Sequence, residues 1–300
     1  MNALFQSLRA PFVSVTLSGV LLGTAAAYFV DGTVDPVTFF IVILVVVAGH
    51  ISANLFNDFF DHLSGNDGLN KNVTPFSGGS RAIQGGGFRP FTVLFLACFF
   101  LFVASVAGFW FVYFQQNLEF AFFGAAGLFL GYAYTAPPFK LVYRGFGEAI
   151  IVITFGLFIV GGAFFAQTGN IFSLPALSVW LPAGLLTANI LLVNTFPDRA
   201  ADELVQKRTF IVRFGTKKAM LLSAGLVLLS YVVIIGAVFR HILPVGTFAS
   251  VVSLPIAFLF LKKLERIEEE YLPAGVCAIA LQIAFTVSAA LGIFVSTVFS

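Results

Sequence analysis

The sequence predicts an all-α membrane protein: a bundle of about nine transmembrane helices around a central cavity, capped on the cytoplasmic side. Three observations carry this. The chain of 300 residues is 59% hydrophobic and only 10% charged, whereas soluble domains carry roughly 25% charged residues. Its apolar residues fall in runs long enough to cross about 30 Å of hydrocarbon, which takes roughly 20 helical residues. Lys and Arg gather on one side of those runs. Helices are the default spanning structure here, because the runs are too long and too uniformly apolar for barrel strands.

In chain order the runs are 12–30, 36–57, 90–114, 119–136, 147–167, 174–194, 217–239, 243–264 and 273–297. The first follows Arg9 and ends near Ala25-Ala26-Ala27, which resembles a signal peptide. Further apolar spans follow it rather than a soluble domain, so it reads as the first span. The fourth is stopped by Pro137-Pro138 beside the membrane surface. The second and sixth each close on an acidic cluster. With the N-terminus placed inside and the C-terminus outside, only Arg240 of the 16 Lys and Arg lies in an outer loop, a strong positive-inside bias. This orientation places the protein in the cell membrane with its active-site loops cytoplasmic. The chain reads as one integral membrane domain, 1–300, with long inner loops at 58–89 and 195–216. Loops beyond roughly 12–15 residues are usually functional or disordered, and these two read as caps over a cytoplasmic-facing cavity.

A net charge of +2, with no basic tract on a soluble face, gives no reason to expect nucleic acid. Cys98 and Cys277 lie in apolar runs without metal spacing and read as packing residues. His50, His62 and His241 show no paired metal spacing. Many of the 39 Phe are expected to face lipid, and some to line an apolar groove.

The two acidic clusters carry the chemistry. One reads Asn57-Asp58-Phe59-Phe60-Asp61, with Asp67 following. The other reads Asn194-Thr195-Phe196-Pro197-Asp198, with Asp202 following. Carboxylates at the end of a membrane helix are costly unless compensated. Asn57 and Asp61 share a helical face, as do Asn194, Asp198 and Asp202. Such clusters would repel one another, and a hard divalent cation relieves this. Mg²⁺ takes one or two carboxylates per ion and completes its shell with water and phosphate. The pattern therefore predicts two Mg²⁺ sites, one for each acidic set, with a diphosphate between them. Asn57-x3-Asp61 also parallels Asn194-x3-Asp198, a short internal repeat of the kind that often brackets a site. For a single Asp the plainer reading is a helix cap or ion pair. The matched spacing of two clusters argues against it.

Basic residues near the clusters are expected to neutralise the diphosphate: Lys140 and Arg144 first, then Arg81, Lys207 and Arg208. Their plainer role is orientation in the membrane. Gly78 and Gly79 would permit close backbone approach to a ligand.

Together these residues resemble the UbiA superfamily of intramembrane prenyltransferases over nearly the whole chain. The similarity rests on Asn57–Asp67, on Asn194–Asp202 followed by Lys207-Arg208-Thr209 and Val212–Gly215, and on the opening Leu8–Phe12. Thr74–Arg81, Tyr134–Lys140 and Arg144–Glu148 resemble the branch that prenylates 1,4-dihydroxy-2-naphthoate in menaquinone synthesis. In 4-hydroxybenzoate enzymes the third acid falls four residues after the second, whereas here that place is Gly65 and the acid is Asp67. The resemblance implies Mg²⁺-dependent transfer of a polyprenyl group from an allylic diphosphate to an aromatic acceptor, giving a demethylmenaquinone. Two Mg²⁺ would be held by Asp58, Asp61 and Asp67 and by Asp198 and Asp202, and Asp61, Asp198, Asp202, Lys140 and Arg144 would be catalytic. Asn57, Arg81, Tyr134, Asn194, Lys207 and Arg208 would join Lys140 and Arg144 in binding substrate. Other acceptors are 4-hydroxybenzoate, homogentisate, a chlorophyllide or a glycerol-phosphate lipid. A cation or proton transporter is the distant alternative, disfavoured because the acids sit at one membrane face rather than along a path.

Overall fold

A computed structural model describes residues 9–115 and 118–299; Leu8 of the opening similarity lies outside them. Helix is the one regular element among the described residues, with one isolated β-bridge between Thr74 and Ser77. The long helices are α1 (Ala10–Asp31), α2 (Pro36–Ser64), α3 (Pro90–Gln115), α4 (Glu119–Ala133), α5 (Gly147–Thr168), α6 (Leu174–Leu204), α7 (Thr216–Phe239), α8 (Val245–Leu264) and α9 (Tyr271–Val298), with short helical turns at Asn66–Leu69, Val142–Arg144 and Phe210–Phe214. Eight of these are long and apolar enough to span a membrane. The chain is an integral, multi-pass membrane protein.

Starts and stops follow local chemistry. The Asp35 carboxylate accepts from the amides of Val37 and Thr38 at 3.3 and 2.9 Å and caps α2, with Pro36 in the first turn. Pro has no N–H to lose there. Gly65 ends α2 in the left-handed conformation at φ 80°, a glycine's usual task. Ser173 caps α6 through the Ala176 amide at 3.2 Å.

Three boundaries differ from expectation. The fourth helix, expected over 119–136, ends at Ala133 with 15 residues, shorter than a full crossing needs. Pro137 and Pro138 disfavour helical backbone just before them, and the last turns open into an irregular elbow. The second and sixth helices instead run on past 57 and 194, to Ser64 and Leu204. Asp58, Asp61, Asp198 and Asp202 therefore sit on rigid helix rather than in cap loops, and the caps begin at Gly65 and Val205.

Consecutive helices touch all the way round, and α9 packs on α1, which also meets α2, α5 and α6. Backbones come close where glycines meet. A Cβ on Gly156 of α5 would lie 2.6 Å from the Trp180 carbonyl oxygen of α6, and one on Gly184 would lie 2.6 Å from that of Val152. Gly246 of α8 and Gly292 of α9 each abut the other's carbonyl. Small residues at helix crossings are the usual membrane solution, because lipid offers no hydrophobic drive to associate. The middle of α5, Val152–Gly161, winds as a wider π-helix. The main core joins α1 with α6–α9. On the other side a cavity of about 330 Å³ runs among helices α2–α6. Cys277 is buried as expected. Cys98, expected to pack, instead faces outward from α3, whose large residues Phe91, Phe95 and Phe102 are also exposed.

Candidate active site

One end of the cavity is polar and the rest is apolar. The polar end gathers Asn57 and Asp61 from α2, Asn194, Asp198 and Asp202 from α6, Asp67, Gly78, Gly79 and Lys207 from the caps, and Tyr134 from the elbow after α4. The apolar body is lined from α3, α4 and α5 by aromatic residues including Phe111, Phe120, Phe123 and Phe155.

Lys207 is the hub of the polar end. Its Nζ lies 3.0 Å from Asp61 Oδ2 and 3.7 Å from Asp202 Oδ1, with its side chain almost wholly buried. Burial alone would lower its pKa, but Asp61 and Asp202 outweigh that and hold it well above its ordinary value. Asp61 also accepts from Asn57 Nδ2 at 2.6 Å and from the Tyr143 hydroxyl at 2.7 Å. That hydroxyl lies 2.8 Å from Ser64 Oγ. Both Lys140 and Lys207 approach the Tyr143 ring, at 5.2 and 5.3 Å. Burial, then Asp61, pushes the Tyr143 phenol upward, so it stays a neutral donor.

Asp202 accepts from Asn66 Nδ2 at 2.9 Å and Thr209 Oγ1 at 3.3 Å, and Asp198 from Asn70 Nδ2 at 2.6 Å. The first cap thus ties down the acids of α6. Asp58 pairs with Arg9 at 2.6 Å and accepts from the Ser80 amide at 3.1 Å, while its Oδ2 is buried without a partner. Asp67 lies against Gly79, where any Cβ would overlap its carboxylate. Its pKa is pushed up to about 7 by burial, then by Asp61 and Asp58. Arg81, left-handed at φ 61°, donates to the Asp67 carbonyl, and Gln84 Nε2 lies 3.3 Å from Asp67 Oδ2.

Among the described residues no three Asp, Glu, His or Cys side chains form a ready metal cage. Mg²⁺ seldom uses one, since it keeps water and substrate phosphate in its shell. The donor set fits that mode: hard carboxylates from two helices, an orphaned Asp58 oxygen, and acids that lack sufficient counter-charge of their own.

Of the predicted residues, Asn57, Asp61, Asp67, Tyr134, Asn194, Asp198, Asp202 and Lys207 line the cavity, and Asp58, Arg81, Lys140, Arg144 and Arg208 do not; Asp58, expected to bind metal, sits behind the lining and pairs with Arg9. Arg144 was expected in the diphosphate cradle. It is exposed on the outer rim, donating to the Pro138 carbonyl at 2.9 Å, because the double-proline elbow turns it outward. Arg208 is exposed too. Lys140 is half-buried beside Tyr143. Sequence reasoning missed Tyr143, Asn66 and Asn70, and gave Arg9 no role in the site. Their sole signal was a concentration of amides and one phenol in the capping segments.

The fold and site define a class: the UbiA prenyltransferase family pattern matches residues 16–276, and the chain belongs to that family. Among its relatives, the 2-carboxy-1,4-naphthoquinone phytyltransferase of Synechocystis sp. is 29% identical over 266 residues, 88% of this chain and 83% of that protein. The 1,4-dihydroxy-2-naphthoate octaprenyltransferase of Bacillus subtilis is 28% identical over 252 residues, covering 84% and 78%. The solved UbiA homolog from Archaeoglobus fulgidus bound to DMAPP and Mg²⁺ has the same fold, with a TM-score of 0.62 and 17% identity, covering 97% of this chain and 99% of that one.

Proposed function

We propose that this chain transfers a polyprenyl group from an allylic diphosphate to 1,4-dihydroxy-2-naphthoate, giving a demethylmenaquinone for menaquinone synthesis. The observation that carries it is a single cavity with a carboxylate-and-lysine end and a phenylalanine-lined body, in a chain whose relatives include naphthoate prenyltransferases. The acidic end would hold the diphosphate through two Mg²⁺, with Asp58, Asp61 and Asp67 as one set and Asp198 and Asp202 as the other. The DMAPP and Mg²⁺ on the archaeal homolog support this. Bound Mg²⁺ would supply charge neutralisation for the departing diphosphate.

The chain's own residues would do the rest. Lys207, now paired with Asp61 and Asp202, would stabilise the negative charge growing on the diphosphate. Asn57 and Tyr143 hold Asp61 in position. The dry aromatic body shields an allylic cation from water, and its rings attract positive charge. Lys140, Arg81, Arg144 and Arg208 form a basic outer rim that would draw the diphosphate in. The rim would face the cytoplasm of a cell membrane, a side the positive-inside bias supports.

The test is transfer of a labelled allylic diphosphate to 1,4-dihydroxy-2-naphthoate or 4-hydroxybenzoate by purified protein, with Mg²⁺ or EDTA. Mg²⁺-dependent prenylation of the naphthoate is expected. Asp61→Ala and Asp198→Ala should each lower turnover at least a hundredfold while the protein still inserts. Near-normal turnover in either would remove the two-metal assignment, and product from 4-hydroxybenzoate alone would overturn the acceptor.

A further inference from the structure

The cavity carries a second polar level below the acids, unused by the diphosphate machinery. Asn54 precedes Asn57 by three residues on α2, and His50 lies one further turn down; both line the cavity. At 1.5 Å per residue, Asn54 sits about 5 Å and His50 about 10 Å below Asn57 along the helix. The Asn54 Nδ2 is buried and has no hydrogen-bond partner. His50 Nδ1 lies 2.5 Å from Thr16 Oγ1, and its ring meets Phe155 edge to face at 5.2 Å. The Thr16 hydroxyl also reaches the Phe12 carbonyl at 3.5 Å. The Thr16–His50 bond forms with either ring nitrogen protonated, and Nε2 is left to bond a ligand. Thr187 of α6 lines the cavity as well, but its hydroxyl is committed to the Ala183 carbonyl at 2.9 Å.

A buried amide without a partner is destabilising in an apolar setting. A wholly hydrocarbon ligand would leave that cost standing. The level also lies where the second substrate must be. The diphosphate occupies the acidic end, its first carbon hangs just below, and the attacking ring has to lie within contact of that carbon.

We propose that Asn54 and His50 form the recognition subsite for the hydroxylated aromatic acid that accepts the prenyl group. The reading rests on the transfer reaction proposed above. Asn54 Nδ2 donates to a phenolic or carboxylate oxygen of the acceptor, and His50 Nε2 bonds a ring hydroxyl. Phe155 flanks the ring. The prenyl tail, with no polar atom to place, runs on past this level into the aromatic body. These are specificity residues: they select a ring with oxygen substituents and leave diphosphate binding to the acids.

The experiment measures, for Asn54→Leu, Asn54→Ala and His50→Phe in Mg²⁺, KM for 1,4-dihydroxy-2-naphthoate and for the allylic diphosphate separately. Anaerobic equilibrium binding of the naphthoate without the diphosphate is measured alongside. We expect acceptor KM and Kd to rise about tenfold or more, as losing one buried hydrogen bond implies, with the diphosphate KM within twofold of wild type. An unchanged diphosphate KM shows that the variant is folded. Unchanged acceptor KM and Kd in both Asn54 variants, or equal rises for both substrates, would overturn the subsite. Should wild type neither bind nor prenylate the naphthoate, the transfer reading fails instead. The variants are then tried against 4-hydroxybenzoate binding, where an unchanged Kd would sink the subsite too.

Discussion

Asp67 is buried against Gly79, with Asp61 and Asp58 acting on it, and its pKa is pushed up to about 7. In the unfolded chain the same group ionises near about 4. Ionisation is harder in the fold, so the sign is destabilising. The metal-free protein should lose stability as pH rises from about 4 to about 7, and be level above that. Thermal unfolding in detergent with EDTA checks this. The wild-type midpoint should fall relative to Asp67→Asn between pH 5 and 8, and parallel profiles would refute it. At this scale the sequence was informative about identity and poor on state. The acids of both clusters were legible because Asp is conspicuous at the end of an apolar run. Tyr143, Asn66 and Asn70 were not, because each acts across the fold on an acid from another helix. Arg144 was misplaced because only the proline elbow decides which way it faces.

Among the elements, the two long helices decide the site. Because α2 and α6 continue to Ser64 and Leu204, the four acids on them have fixed helical spacing. A catalytic constellation is more precise on a helix than on a loop. Helix placement in turn depends on close glycine contacts. Gly292→Val would drive a side chain into the Gly246 backbone of α8. Overpacking of this kind costs about 1–3 kcal/mol. A lower apparent Tm in detergent is expected, with KM for both substrates near wild type, since the α8–α9 contact is remote from the cavity lining. A Tm equal to wild type would show that the helices part without cost. The end of α2 was misread as the end of its apolar run, since a helix that covers a cavity needs no apolar outer face to continue.

For the whole molecule, the cavity sets which prenyl chain fits. Gly124 of α4 lines the apolar body about 15 Å along the helix from Tyr134, by the 1.5 Å rise, and a Cβ there meets nothing within 4 Å. Gly124→Phe should fill that space. Its kcat/KM for a long polyprenyl diphosphate should fall tenfold or more, while that for a ten-carbon diphosphate stays within threefold. Competition between the two substrates reads this directly, and equal losses would place the tail elsewhere.

The sequence by itself determined the membrane class, the helical bundle, the side on which charge collects and the two acidic clusters. Each of these is written in residues near one another along the chain, as hydropathy, charge and helical spacing. Only the tertiary structure decided that Lys207 bridges Asp61 and Asp202, that Arg9 pairs with Asp58 and that α4 is short. It also left the cavity open between α2 and α6 and placed Asn54 in it without a partner. Those depend on which helices touch, and contacts between residues far apart in the chain leave no periodic trace in it.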